Sequence, residues 1–401
     1  MRILIVNSQR ALVGGVEKYL AGLLTELGRR GNDLAFAYEH DAASAEARVD
    51  TAMPGLPLWD ILGAKQDQLL SEIEHWHPDC VFFHGCRARE FEGAITQKYL
   101  SYLFAHDHQR TCPTGSRSFA SPSLAPCTRK AGWQCLVCHY PRRCGGLNPI
   151  VALRGYTQWK DSWSGMQRFR RVFVASGAMR EEMLLQGLSP SKIGVIAPFN
   201  GEVTADADPP KPRPFTNRIV FLGRLVAVKG AELLIRALPL ISERLNRRIE
   251  LIVAGDGSER QRLEGLARNT SLPVTFPGWL DAGKRTELLR GADLLAVPSR
   301  WPEPYGMVGA EAGAVGVPAV AFATGGVLDW LKPGISGELA AAQNGCPESF
   351  AAAAVRALAD MDHHQQLREG AWRHSQTNSV ANHVNQLEQV WREQMDNSVA
   401  D

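Results

Sequence analysis

Short apolar runs closed by glycine or proline alternate along this chain with longer stretches whose apolar residues recur every three or four positions. RILIV from Arg2, DLAFAY from Asp33, DCVFFHG from Asp79, YLFAHDH from Tyr102, VFVAS from Val172 and KIGVIAPF from Lys192 have the length and composition of buried strands. Between the first two, VGGVEKYLAGLLTELGRRG from Val13 reads as a Gly-containing loop and an amphipathic helix stopped at Gly31. The second half repeats the alternation with RIVFL from Arg218, ELIVAGDG from Glu250, VTFPGWL from Val274 and ADLLAVPS from Ala292. Strands separated by helical stretches predict an α/β protein with parallel, doubly wound sheets.

The polar, Pro-rich EVTADADPPKPRPF divides the halves, so the pattern predicts one domain over 1–200, a linker over 201–215 and a second domain over 216–375. Beyond it, Val380, Val384, Leu387 and Trp391 fall on one face of a last helix within 376–401.

Chemistry concentrates where strands of the second half end. In open α/β sheets those loops converge on the ligand. Gly223, Arg224 and Lys229 follow RIVFL, Gly255 follows ELIVA, and Gly278 ends VTFPG. Arg offers a planar fork and Lys a point charge to diphosphate oxygens. In SRWPEPYGMVGAE, Glu303 and Glu311 flank a helix start at Gly306, Met307 and Val308. Free N–H groups and the positive helix end suit a diphosphate there. Carboxylates next to phosphate should face neutral hydroxyls of sugar or ribose. An ordinary surface helix with solubilising Glu side chains is the competing account.

FLGRLxxxKG, AGDG, PGW, E-PYGMVGA-E and GVPAVAFATGG occur in this order between Arg218 and Gly326. Together they resemble the nucleotide-sugar domain of retaining glycosyltransferases of family 4. The likeness is dense over Arg218–Leu339 and loose elsewhere. It implies a GT-B fold, two Rossmann-like domains facing a central cleft, with the last helix packing back on the first domain. It assigns donor binding to Gly223, Arg224, Lys229, Gly255, Gly278, Glu303, Gly306, Met307, Val308 and Glu311, and the loop of Gly14 and Gly15 to the donor phosphate or the acceptor, a tight βα turn being the alternative there. Glu303, His106, Arg224 and Lys229 are implied to be catalytic. His106 closes its strand and matches the family's His-Asp, which contacts the donor sugar. His84 is a second candidate. Tyr305, where relatives carry Phe, and Asp329, near where relatives carry Glu, depart from the pattern without breaking it.

Five of the cysteines, Cys112, Cys127, Cys135, Cys138 and Cys144, lie in a Pro-, Ser- and Gly-rich insert over 107–147. A structureless loop of about 40 residues needs a staple. The Cys135–Cys138 spacing chelates zinc, so a structural Zn site is the leading expectation, with reduced thiols or disulfides as alternatives.

Net charge is +2, which excludes a nucleic-acid binder driven by bulk electrostatics. No apolar run approaches the ~18 residues of a bilayer span, and the N-terminal run is too short for a secretory signal. A cytoplasmic protein, at the inner face of the membrane if its acceptor is lipid-linked, is expected. Arg and Trp in RGYTQWKDSWSGMQRFRRVF offer a basic aromatic surface for such an acceptor or an anionic glycan. A helix packed by its Trp side chains is the alternative.

The implied activity is transfer of a sugar from a nucleoside-diphosphate sugar to a glycan, lipid-linked or small-molecule acceptor, with no cofactor or metal in catalysis. A nucleotide-sugar epimerase of the same fold and a non-catalytic, zinc-organised binding protein are the alternatives. A nicotinamide oxidoreductase is excluded, since VGGVEK and GDGSER lack the third glycine of GxGxxG.

Overall fold

The computed structural model describes residues 1–12, 14–42, 47–199, 205–341 and 346–400, with side chains as far as residue 395. It divides into two compact units, one holding Met1–Arg117, Thr128–Gly201 and Val380–Asp401, the other Ser118–Cys127 and Glu202–Ser379.

Seven strands form the first sheet: β1 (Arg2–Gln9), β2 (Asp33–His40), β3 (Leu58–Asp60), β4 (Cys80–Phe83), β5 (Ser101–Ala105), β6 (Arg171–Val174) and β7 (Ile193–Val195). Their order is β3-β2-β1-β4-β5-β6-β7, and every neighbouring pair is parallel. β1, β4 and β5 are continuous buried runs because helices cover both faces of a parallel sheet. Helix Gly15–Arg29 buries Leu20, Leu23, Leu24 and Leu27 on one stripe. Helix Val380–Ala400 belongs to this unit. Its Val384, Leu387 and Trp391 are fully buried, and the Trp391 ring lies 5.2 Å from Phe82 and 6.0 Å from Tyr102.

The second sheet holds β8 (Arg218–Leu222), β9 (Glu250–Ala254), β10 (Val274–Gly278), β11 (Leu294–Val297), β12 (Ala319–Phe322) and β13 (Gly337–Ala340). Its order, β10-β9-β8-β11-β12-β13, is all parallel and is that of a Rossmann unit. A core of Ile219, Phe221, Leu234, Leu238, Leu251 and Phe350 fills one side. The expected linker lies partly outside the described residues. The described remainder, from residue 205, runs along the second unit. Arg290 pairs with Asp206 at 2.6 Å, and Arg368 donates to the Lys211 carbonyl at 2.8 Å.

The loop-like insert has secondary structure of its own. It carries helix Gln134–Arg142 and a short antiparallel ladder of Ser118–Phe119 with Ala125–Pro126. Zinc is the staple the sequence suggested, and the structure does not support it. Among the described residues no group of three or more His, Cys, Asp or Glu could hold a metal ion. Cys135 and Cys138 share helix Gln134–Arg142, Cys138 Sγ accepts from Arg129 Nη1 at 2.9 Å, and Cys112 Sγ contacts the Thr114 hydroxyl at 3.3 Å. Cys127 and Cys144 join no such centre either. Buried ion pairs hold the segment instead. Arg110 meets Glu92 at 2.7 Å, while Glu182 takes His108 at 2.9 Å, Thr111 at 3.0 Å and Arg117 at 3.5 Å. A carboxylate taking two buried donors beside a buried guanidinium fixes a loop without metal because those groups would otherwise be desolvated and uncompensated.

Over Arg154–Phe173 the burial fits a helix packed by its Trp side chains rather than a basic aromatic surface. Trp159, Met166, Phe169 and Phe173 are buried, so their apolar bulk packs the core.

Candidate donor-binding site

Three loops at the carboxyl edge of the second sheet are locked together through their backbones. The β8 loop and the β11 loop touch where the Arg300 N–H donates to the Val228 carbonyl at 2.9 Å. Gly230, at φ +73°, sits so close to the Pro298 carbonyl that a Cβ would lie 2.0 Å from its oxygen. The β12 loop joins by Gly326 N–H donating to the Glu303 carbonyl at 2.6 Å and Thr324 Oγ1 donating to the Ser299 carbonyl at 3.1 Å. Any Cβ on Gly325 would meet Glu303 backbone atoms at 2.3 and 2.5 Å. Backbone thus presses on backbone around the Glu303 peptide.

That locking brings Lys229 against Glu303. Lys229 Nζ donates to both carboxylate oxygens, at 2.6 and 2.8 Å, and stands 4.9 Å from the centre of the Trp301 ring. Glu303 is 5% exposed. Arg224, on the same loop as Lys229, is exposed, and its guanidinium has no ion-pair partner among the described residues.

Helix Met307–Ala314 begins at Gly306, φ +94°, with no capping side chain and no acidic residue in its first turn. The amides of Met307 and Val308 therefore form an uncompensated positive end. Trp330 fixes that end, its indole donating to the Tyr305 carbonyl at 2.7 Å and leaving no room for a Cβ on Gly309. Glu311, one turn on, is buried, with Arg285 Nη1 at 3.8 Å from its carboxylate. Gly223, Gly255 and Gly278 line up across β8, β9 and β10. Gly223 N–H donates to the Ala254 carbonyl at 3.1 Å and Gly255 N–H to the Gly278 carbonyl at 2.8 Å. Together the edge offers two cations, a helix end and two carboxylates, the set needed for a diphosphate carrying hydroxylated groups.

In the first unit, Gly14 and Gly15 stand at the start of helix Gly15–Arg29, and nothing lies within 4 Å of a Cβ on Gly15. Glu17, buried in the first turn, already compensates that helix end with a carboxylate. A second anion is disfavoured there, so a hydroxyl group fits this loop better than a phosphate.

His106 follows β5 within a cluster of rings. Its Nε2 is 2.9 Å from His84 Nδ1, and its ring lies 5.1 Å from Tyr19 and 4.6 Å from Phe104. Burial, with help from nearby His383, lowers its pKa to about 3. Burial also lowers His84, and it takes His383 to about 4. His383 Nδ1 faces the Ala197 carbonyl at 2.9 Å and must donate to it, so its neutral Nε2 accepts from the Tyr19 hydroxyl at 2.6 Å. His106 is therefore a neutral hydrogen-bonding group near neutral pH, not a charge.

Trp301, Glu17 and His383 were not singled out from the sequence. Trp301 beside Glu303 in RWPEP was the one available signal, an aromatic face next to an expected cation.

Two parallel Rossmann-like units define the GT-B fold. Residues 206–374 match the family described as glycosyl transferases group 1. An uncharacterized glycosyltransferase of Methanocaldococcus jannaschii is 38% identical over 144 residues, 35% of this chain and 36% of the relative. A D-inositol 3-phosphate glycosyltransferase of Thermomonospora curvata is 31% identical over 231 residues, 52% of this chain and 53% of its own. The chain thus spans about a third to a half of these curated relatives. HepE of Anabaena, in complex with UDP and glucose, superposes with a TM-score of 0.67 at 17% identity, covering 98% of this chain and 100% of its own. Sucrose-phosphate synthase from Thermosynechococcus elongatus gives 0.71 at 17% identity, covering 99% of both chains. At such identities the likeness is one of fold.

Proposed function

We propose that this chain is a retaining, metal-independent glycosyltransferase of family 4, acting in the cytoplasm in glycan or glycoconjugate assembly. It moves a sugar from a nucleoside-diphosphate sugar to a glycan, lipid-linked or small-molecule acceptor. The observation that carries this is the Lys229–Glu303 contact at the carboxyl edge of the second sheet, beside an uncapped helix start. Cleavage of the anomeric C–O bond places negative charge on the β-phosphate and positive charge on the sugar ring. Arg224, Lys229 and the amides of Met307 and Val308 stabilise the leaving diphosphate, where donors preorganised for developing charge act best. Glu303 receives donor-sugar hydroxyls, and Glu311 receives ribose hydroxyls. His106, neutral, hydrogen-bonds the sugar. The Gly14–Gly15 loop takes a hydroxylated acceptor, since Glu17 repels phosphate there.

A thermal-shift screen of UDP, GDP, ADP and their sugar conjugates tests the reading. A true donor at about 100 times its Kd adds about 2.7 kcal/mol of stability. If no nucleotide raises the melting temperature, the transferase reading fails. Acceptor-free conversion of the donor into an epimer would replace it with epimerisation.

A further inference from the structure

Half of the large apolar side chains left exposed among the described residues, seven of fourteen, fall between Trp133 and Leu153. They are ordered on two consecutive helices of the first unit. Trp133, Val137 and Tyr140 recur at steps of four and three, which makes one outward face at helix Gln134–Arg142. Ile150, Val151 and Leu153 crowd the first turn of helix Pro149–Ser164, with Ile150 and Leu147 before it each 74% exposed. The inner face of that second helix is already satisfied by Trp159 and Ser162. An amphipathic helix normally turns its apolar stripe to the core. Here the large apolar residues point outward at the start of a helix well capped by Asn148, so fraying does not account for them.

Charge singles out the occupant. Between Asp107 and Asp161 every charged side chain is Lys or Arg, and Arg129, Lys130, Arg143, Arg154 and Lys160 of the same segment are exposed. A second copy of the chain would oppose like charges. An anionic bilayer surface satisfies both features at once, because apolar and aromatic groups enter the headgroup boundary while cations pair with lipid phosphates. We propose that the exposed apolar side chains of Trp133–Leu153, with the exposed Arg and Lys of the same segment, dock this protein on an anionic membrane. The docking needs no donor chemistry and stands apart from the transferase reading.

The test is co-sedimentation of the full chain with vesicles of phosphatidylcholine alone or with about a third phosphatidylglycerol. Binding is expected to the anionic vesicles, to weaken in high salt, and to fall at least about ten-fold in V137D/I150D, whose positions are exposed and so keep the melting temperature. Arg143→Glu with Arg154→Glu should weaken it by about five-fold or more per site, from about 1 kcal/mol per basic residue near a charged surface. Equal binding by wild type and V137D/I150D overturns the proposal, as does no binding to anionic vesicles at low salt. Concentration-dependent dimerisation abolished by V137D/I150D would assign the face to a second copy and overturn it too. Nucleotide-induced thermal shifts, read on the same variants, report separately on the donor site.

Discussion

Removing Glu303 and removing Lys229 should have opposite consequences for nucleotide binding although the two side chains form one ion pair. Glu303 is nearly buried, while the Lys229 side chain keeps 20% of its surface. Without Lys229, a desolvated carboxylate loses both its short contacts. Loss of one partner from a buried pair costs about 3–5 kcal/mol, and partial exposure of the lysine brings this down to about 2–3 kcal/mol for K229A. In E303A the freed ammonium still reaches water and lies over the Trp301 face, so a smaller loss of about 1–2 kcal/mol is expected. K229A/E303A should lose less than the sum of the singles, because no unpaired buried charge remains.

Binding separates the roles. Unliganded, Glu303 already neutralises Lys229, so the carboxylate competes with any diphosphate for the same ammonium. E303A should therefore bind the free nucleoside diphosphate at least as tightly as wild type, yet lose about 100-fold or more in sugar transfer. K229A should weaken the diphosphate by about 10- to 100-fold, the worth of a hydrogen bond to a charged group. Urea unfolding gives the stabilities. Titration calorimetry with UDP, chosen because HepE was solved with it, gives the affinities, and the other diphosphates serve if UDP does not bind. If E303A weakens nucleotide as much as K229A does, the phosphate-side and sugar-side assignments are refuted.

Gly325→Val should abolish transfer and lower the melting temperature by at least about 5 °C, because its Cβ would strike the Glu303 backbone at 2.3 Å; wild-type melting would refute the loop-locking account. The His cluster sets an acid limit. His106 and His383 titrate in the folded protein at about 3 and about 4, below their ordinary value near 6.5, so the unfolded chain binds more protons between those values. Stability should then rise with pH from about 4 to 7 and be lost as pH falls through that window, and H383N should flatten the slope in urea titrations at stepped pH. Glu182→Ala should expose the insert to limited proteolysis within 107–147, while chelator treatment of the wild type leaves its melting temperature unchanged; a chelator-induced drop would reinstate a metal staple.

Period and punctuation carried most of the architecture. Buried parallel strands are apolar throughout, so RIVFL, ELIVA and CVFF stand out against their surroundings, and strand ends point to ligand-facing loops by topology alone. Three strands escaped that reading: AVAF at β12, and two others for physical reasons. LWD at β3 is an edge strand of three residues, and GELA at β13 is opened by glycine and interrupted by a charge. Both are too short to show a period. The insert misled differently. Cysteine spacing is visible in sequence, but its alternative staple joins Glu182 to His108 across 74 positions and Glu92 to Arg110 across 18, pairings with no periodic trace.

The candidate donor edge shows the same division between local and distant causes. Lys229 and Glu303 are each recognisable from nearby glycines and prolines, but their contact spans 74 positions and depends on glycine carbons meeting distant carbonyls. Side chains at Gly230 or Gly325 would force the three loops apart while leaving every motif intact. A chain with the same motifs and a bulkier residue at either glycine would thus read identically for chemistry, yet hold its cation and carboxylate apart. The Lys229–Glu303 geometry is a property of backbone clearance, and clearance between loops enters a sequence only as the absence of a side chain.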